Sequence, residues 1–403
     1  MKTTPDGINA AMKKIIIILS VCALASACND IVTYKTDLPD RFANNGAPVI
    51  DAVYDIHDAE LETPLTEGAL AQIIHIVGKN LANPLSVSFN GIDADLDKCY
   101  CENEDSYILI PRVMPDAMNN VLTYRTSSGS TSIDFEISVP ELDLVGLANE
   151  FAFAGSTVKV KGDYFDLYGF GKEGSGTSIT IGDEPVQIAS AGEDGLSIVI
   201  PEGTPDKTLI TFKWNDIKLG PQTKKIPFRN TSYLFFKNFE TTGFWDAELA
   251  ATILTDGTGD GDPESPGYKF WRFKNSYAAW TWNSLGMGDG WYYDTPADWQ
   301  SGWMFKFEIW TNPAKPIPAY PANNQGLMVE LNLSKKNVAL DLGGVAFNSG
   351  GEWRTYSCPL ANVAKSMPAN GDYWGFAFSI QPPTDWDVDF AIANIRIEPK
   401  NYD

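Results

Sequence analysis

The histidines of this 403-residue chain are His57 and His75, both far from the C-terminal half. A Ser-His-Asp triad, a Cys-His pair and an HExxH zinc site each require imidazole, so residues 229–403 cannot supply any of them. A glycosidase needs two carboxylates and no histidine, and Glu308 and Glu330 would serve if their strands were adjacent. The region is small for the long loops that usually build a glycosidase cleft. Asp256-Gly257-Thr258-Gly259-Asp260-Gly261-Asp262 sets oxygen ligands at alternate positions, as a calcium loop begins, with Asp256, Asp260 and Asp262 as carboxylates. Its twelfth position is Gly267 where a calcium loop carries glutamate, so a solvated acidic turn is favoured and no cofactor is expected. Cys99-Tyr100-Cys101 has the spacing of half a metal clip, but no second cysteine pair or nearby histidine completes it. Buried free cysteine is the expectation there. His75 alternates with Ile74 and Ile76, which puts it on the solvent face of a strand.

The other chemistry is aromatic. Of twelve tryptophans, all but Trp214 lie within residues 229–403. One core does not require so many indoles, since each large ring buries roughly 150 to 250 Å²; the surplus points to a surface that stacks on flat, apolar faces. Strand alternation separates some of them. Trp303 and Trp374 head inward-facing rows, Trp271 shares a face with Phe273, and Trp353 opens a strand, so these four are assigned to packing. Trp310 falls on the opposite face from Phe305, Phe307 and Ile309, beside Lys306 and Glu308. An indole flanked by charges suits a sugar, whose C–H faces stack on the ring while its hydroxyls bond the neighbours. Trp291 and Tyr292 follow the glycine-rich 286–290 segment, which cannot bury several large rings. Trp280 and Trp282 share a face around Thr281. The candidate glycan-binding set is therefore Trp280, Trp282, Trp291, Tyr292, Trp310, Lys306 and Glu308, with Trp299 and Trp386 as weaker members. An exposed aromatic cluster equally fits a protein-docking patch.

The elements that position these residues are strands. A formal charge of −22 excludes nucleic acid and anionic lipid as partners. Residues 12–27 read as a secretory signal: Lys13 and Lys14, an apolar run from Ile15, then small residues. The sequence Ala25-Ser26-Ala27-Cys28 resembles the lipobox of bacterial lipoproteins, which implies lipidation of Cys28; a plain cut after Ala27 is the rival. Residues 28–46 read as a tether. Beyond it, Ile74 to Leu81 answers to Val158 to Phe165, and Ile110-Pro111 with Pro115-Asp116 answers to Ile200-Pro201 with Pro205-Asp206, an internal repeat of one domain. Short alternating segments bounded by turns make both copies β-sandwiches, over residues 47–140 and 141–228. Sharper alternation in residues 229–403, as in Leu327, Val329, Leu331 and Leu333, argues a jelly-roll sandwich. The chain is expected to be all-β throughout.

The repeats resemble the IPT/TIG immunoglobulin-like family, through their strand-Gly-x-x-Leu/Phe openings, the Val87-Ser88-Phe89-Asn90-Gly91 strand and the Thr126-Ser127-Ser128-Gly129 turn. The whole chain resembles the surface glycan-binding lipoproteins of bacterial polysaccharide-utilisation systems. Cys28, the repeat pair, the Tyr233–Glu240 opening strand, Trp280-Thr281-Trp282, the Gly351–Leu360 segment and the closing Asn394-Ile395-Arg396-Ile397 carry that resemblance. It implies a xyloglucan-binding-type C-terminal domain that captures xyloglucan or another β-glucan-like chain without catalysis. It further implies an outer-membrane location held through the lipid, facing the cell exterior, with a transporter complex and surface glycosidases as partners. The chain departs from the pattern in having few spacer copies, and only Asp30 supplies acid close to Cys28. Stacking on two or three rings gives a Kd on the order of 10 μM to 1 mM.

Overall fold

The computed structural model describes residues 40–234, 253–267, 269–289, 295–321, 325–331, 338–369 and 375–402. The signal segment, Cys28, most of the tether, Trp245, Trp291, Tyr292 and Trp374 lie outside the described residues. Two compact units divide between Ser138 and Val139.

The first unit is a sandwich of two four-stranded sheets. One runs Val49–Asp55, Ile73–Lys79, Asp105–Leu109, Tyr100–Cys101, and the other Ile92–Asp93, Ser86–Phe89, Val121–Thr126, Gly129–Asp134. Residues 143–227 repeat that order strand for strand: Asp143–Leu147, Thr157–Asp163, Gly195–Val199, Ile188–Gly192, then Glu184–Pro185, Ser178–Ile181, Leu209–Asp216, Gly220–Pro227. The repeat carries its irregularities with it. The first strand of each copy bulges, at Ile50/Ala52 and at Leu144/Gly146. Opposite each bulge sits the glycine of the repeated motif, where a Cβ would lie 2.0 Å from the Val49 carbonyl oxygen at Gly78 and 1.9 Å from that of Asp143 at Gly162. Only glycine permits that approach.

One expectation for the first unit needs correction, and residues 41–45, read from the sequence as tether, are hydrogen-bonded to the sandwich: Asn44 exchanges hydrogen bonds with Ala82, and the Asn103 N–H donates to the Arg41 carbonyl at 2.6 Å. His75 does not reach solvent. It stands in register between Tyr54 and Tyr107, stacks on Tyr107 at 4.4 Å, bonds Asp105 Oδ1 at 2.7 Å, and is 8% exposed. Outward alternation placed it correctly, but neighbouring aromatic rings cover it. Cys99, Cys101 and Cys358 are unbridged and half-buried, and burial pushes the Cys358 thiol up to about 11.

In the second unit the jelly roll packs a five-stranded sheet, Leu254–Thr255, Phe270–Tyr277, Trp386–Pro399, Trp303–Thr311, Arg354–Pro359, on a four-stranded sheet, Asn283–Asp289, Gly375–Gln381, Gly326–Leu331, Val338–Ala339. The expected rows meet between them: Phe305, Phe307 and Ile309; Leu327, Val329 and Leu331; Phe376, Phe378 and Ile380; Val388, Phe390 and Ile392 are all buried in one core. The long strand then changes parity. Asn394 adopts φ 50° and the pairing with Trp303–Thr311 slips between Lys306 and Glu308. From that bulge on, Ile395 and Ile397 face the core, and Arg396 and Glu398 turn to the outer face of the sheet.

Candidate functional site

That outer face is not a solvent face, and this takes Trp310, Lys306 and Glu308 out of the candidate site. Lys306, Glu308, Arg396 and Glu398 project from it onto the immunoglobulin-like domain of the same unit; the last three are buried and the Lys306 side chain is only 12% exposed. Lys306 and Arg396 lie directly opposite each other across the strands, a like-charge pair that is unfavourable alone. Glu150 bridges them, one oxygen to Lys306 Nζ at 2.8 Å and the other to Arg396 Nη2 at 2.6 Å. Glu308 takes Arg396 Nη1 at 2.9 Å, and Glu398 takes Lys306 at 2.7 Å. Thr355 closes the seam: its hydroxyl donates to Glu308, its oxygen receives the Glu150 N–H at 2.8 Å, and its carbonyl receives Lys161 Nζ at 3.0 Å. Three cations, Lys161, Lys306 and Arg396, thus face three carboxylates. Burial works to raise the Glu150 carboxyl, but the charges of Lys306 and Arg396 outweigh it and hold it down at about 2. For Glu308 burial prevails over Arg396 and the carboxyl is raised.

Trp310 shares this covered face. It is 8% exposed, packed with Phe270, Ala391 and Ala393, with the Arg272 guanidinium 5.9 Å from its ring centre. Arg272 in turn pairs with Asp389 at 3.0 Å and with Asp262. Asp262, one of the three carboxylates a calcium loop would need, is therefore already engaged, while Asp256 accepts from Thr258 within its own turn; among the described residues no cluster is suited to a metal ion. Glu308 and Glu330 sit on different sheets, each turned away from the shared core, so they cannot flank a common bond. Trp386 is buried against Tyr320, and Trp299 and Trp303 pack on the core edge, Trp303 donating to Asp298 Oδ1 at 2.9 Å.

Trp280 and Trp282 remain. They are 59% and 51% exposed, and no other tryptophan among the described residues is comparably open. Both lie on the 278–282 turn that leads from the strand Phe270–Tyr277 across the end of the sandwich to Asn283–Asp289. The Thr281 N–H donates to the Ala278 carbonyl, and Trp280, at the third position of this turn, has φ 60°. Turns with positive φ at that position ordinarily take Gly or Asn; a tryptophan there costs about 1–3 kcal/mol and persists only where the surroundings over-determine it. Here the 381–385 segment does so. The Ala279 N–H donates to Asp385 Oδ1 at 2.8 Å, the Trp280 N–H to the Pro382 carbonyl at 2.8 Å, and Gln381 Nε2 to the Trp280 carbonyl at 3.1 Å. The backbone beneath the indoles is thus set before any ligand arrives.

A cleft of about 660 Å³ begins at Tyr277 and Asn283, the residues flanking the turn, and continues past Asn275, Lys274 and Asp260. Burial pushes the Tyr277 hydroxyl up to about 12, so it stays protonated and able to donate. Open indoles can stack on apolar ring faces, and a cleft lined by amide, ammonium, hydroxyl and carboxylate groups can bond hydroxyls.

The second unit is thus an immunoglobulin-like domain docked to a jelly roll that exposes two indoles at one end. Residues 228–399 match the family described as surface glycan-binding protein B xyloglucan binding domain, and residues 145–226 match the IPT/TIG domain family. Among solved structures the chain is similar to surface glycan-binding protein PbSGBP-B from Prevotella bryantii, at 16% identity over 89% of this chain and 100% of that one, with a TM-score of 0.48. It is also similar to SGBP-B from a complex xyloglucan utilization locus in Bacteroides uniformis, at 16% identity over 87% and 99%, TM-score 0.41. A third is the Bacteroides ovatus mixed-linkage glucan utilization locus SGBP-B in complex with a mixed-linkage heptasaccharide, at 11% over 81% and 72%, TM-score 0.28. No curated protein matches the chain.

Proposed function

We propose that this protein is a non-catalytic, lipid-anchored surface protein that captures a neutral β-glucan-like polysaccharide, xyloglucan first, by stacking it on Trp280 and Trp282. The observation that carries the reading is the pair of half-exposed indoles on a turn whose strained backbone is fixed by its neighbours. The match of residues 228–399 to a xyloglucan-binding family supports the same ligand class. The separation of Glu308 from Glu330 supports binding without hydrolysis. Lipidation at Cys28 would hold the protein at the outer membrane, where it would hand glycan to a transporter and surface glycosidases, with no cofactor. Weak single sites suit this role, because one polymer engages many anchored copies and avidity replaces affinity. Native gel electrophoresis in xyloglucan or mixed-linkage glucan tests it. The mature chain should be retarded and Trp280→Ala/Trp282→Ala should be retarded much less; equal migration of the wild-type chain with and without glucan across a polysaccharide panel would overturn it.

A further inference from the structure

We propose a second glycan-contacting groove at the seam between the immunoglobulin-like domain and the jelly roll, lined by Phe153 and Lys159 on one wall and Trp353, Glu264, Glu352 and Arg354 on the other. The inference rests on the glycan-binding reading above. The groove encloses about 400 Å³, within the range of small-molecule sites, which occur preferentially between domains. Its aromatic floor is oriented. Trp353 donates its Nε1–H to the Glu264 carbonyl at 2.8 Å and meets Phe270 edge-on at 5.2 Å. Phe153 has Arg229 5.8 Å from its ring centre and is still 41% exposed.

The rim carries two cations, Lys159 and Arg354, and two carboxylates, Glu264 and Glu352. That balance favours an uncharged, hydroxyl-rich occupant: a polyanion would meet the carboxylates, and a polycation the ammonium and guanidinium. The walls cannot drift apart while the seam is closed, since Thr355 receives the Glu150 N–H and gives its own N–H to the Ala148 carbonyl, both at 2.8 Å. A groove of preset width loses less ordering entropy on binding.

Trp353 packs on Phe270, the first residue of the strand Phe270–Tyr277, whereas the Trp280 turn follows its last residue. At about 3.3 Å per residue the two sites stand roughly 25 Å apart. A short oligosaccharide therefore fills one site at a time, while a polysaccharide spans both from a single molecule and gains from their linkage.

Isothermal titration of the full mature chain tests this, with xyloglucan polysaccharide and with a short xyloglucan oligosaccharide. Phe153→Ala should weaken polysaccharide binding by about three- to tenfold, lower the oligosaccharide stoichiometry from two to one, and leave the melting temperature unchanged; Phe153→Tyr should restore both. Lys159→Ala, on an exposed strand position, gives an independent reading if Phe153→Ala fails to fold, and should weaken binding in the same direction. Polysaccharide affinity and stoichiometry equal to wild type in Phe153→Ala, with Trp280→Ala/Trp282→Ala abolishing all binding, would overturn the groove and leave the glycan-binding function standing. A wild-type chain that binds no glucan would overturn both.

Discussion

Glu150→Ala is the most informative perturbation of the seam. Glu150 is the one carboxylate that the immunoglobulin-like domain contributes between Lys306 and Arg396, which the strand pairing sets opposite each other. Its removal leaves Lys161, Lys306 and Arg396 facing Glu308 and Glu398, a surplus positive charge where Arg396 is fully buried. Breaking a buried pair by deleting one partner costs about 3–5 kcal/mol. For a unit of this size each kcal/mol moves the melting temperature by about 2–4 °C, so a drop of about 10 °C is expected by differential scanning calorimetry. Glu150→Gln keeps the shape and one acceptor but not the charge, and should fall between wild type and Glu150→Ala. The double variant Glu150→Ala/Lys306→Met removes the surplus cation with its partner and should recover part of the loss. A Glu150→Ala melting temperature within 2 or 3 °C of wild type, about 1 kcal/mol, would refute the claim that this network holds the two domains as one unit.

Four further outcomes follow. Trp280→Gly relieves the φ 60° strain and should stabilise the chain by about 1 kcal/mol while weakening glucan binding, read by denaturant midpoint and gel retardation together. Gly162→Ala drives a Cβ into the Asp143 carbonyl and should destabilise by at least about 3 kcal/mol, whereas Gly192→Ala, with open space around it and no positive φ, should cost far less. Trp386→Ala should cost about 3–5 kcal/mol as a core cavity, in contrast to Trp282→Ala, which should be near neutral in thermal melting. In acid, the depressed Glu150 contributes stability that is complete above its unfolded value near 4.5 and is lost as pH falls toward about 2. Asp262 and Asp389, also depressed, act in the same sense, and Glu308, raised, opposes them. Melting temperatures should therefore fall from pH 5 to pH 2.5, with a shallower slope in Glu150→Gln.

Period-two alternation was enough to find the jelly-roll core, because the two inner faces are apolar without interruption, and the repeat was legible because its glycines answer to the same strand approach in both copies. What alternation could not see was that an outward face may be covered. Trp310, Lys306 and Glu308 look like a sugar site from one strand, but Glu150 engages Lys306, Arg396 and Thr355 engage Glu308, and Phe270, Ala391, Ala393 and Trp353 pack on Trp310, all far away in sequence. The bulge at Asn394 hid the same fact from the other side, since without it Arg396 and Glu398 would fall on the core parity. The buried balance of charge had one signal in the sequence: ionisable residues set among continuous apolar strand positions, as at Asp389, Arg396 and Glu398. Trp280 and Trp282 were legible as a pair sharing a surface, but the positive φ that fixes them depends on Gln381, Pro382 and Asp385, which only the fold brings near.

Trp280 and Trp282 are the proposed platform for the glycan. Calorimetric titration of the mature chain with xyloglucan, wild type beside Trp280→Ala/Trp282→Ala at equal thermal stability, measures it directly. A wild-type Kd on the order of 10 μM to 1 mM, weakened at least about tenfold in the double variant, is the result expected; a double variant that binds as tightly as wild type would contradict it.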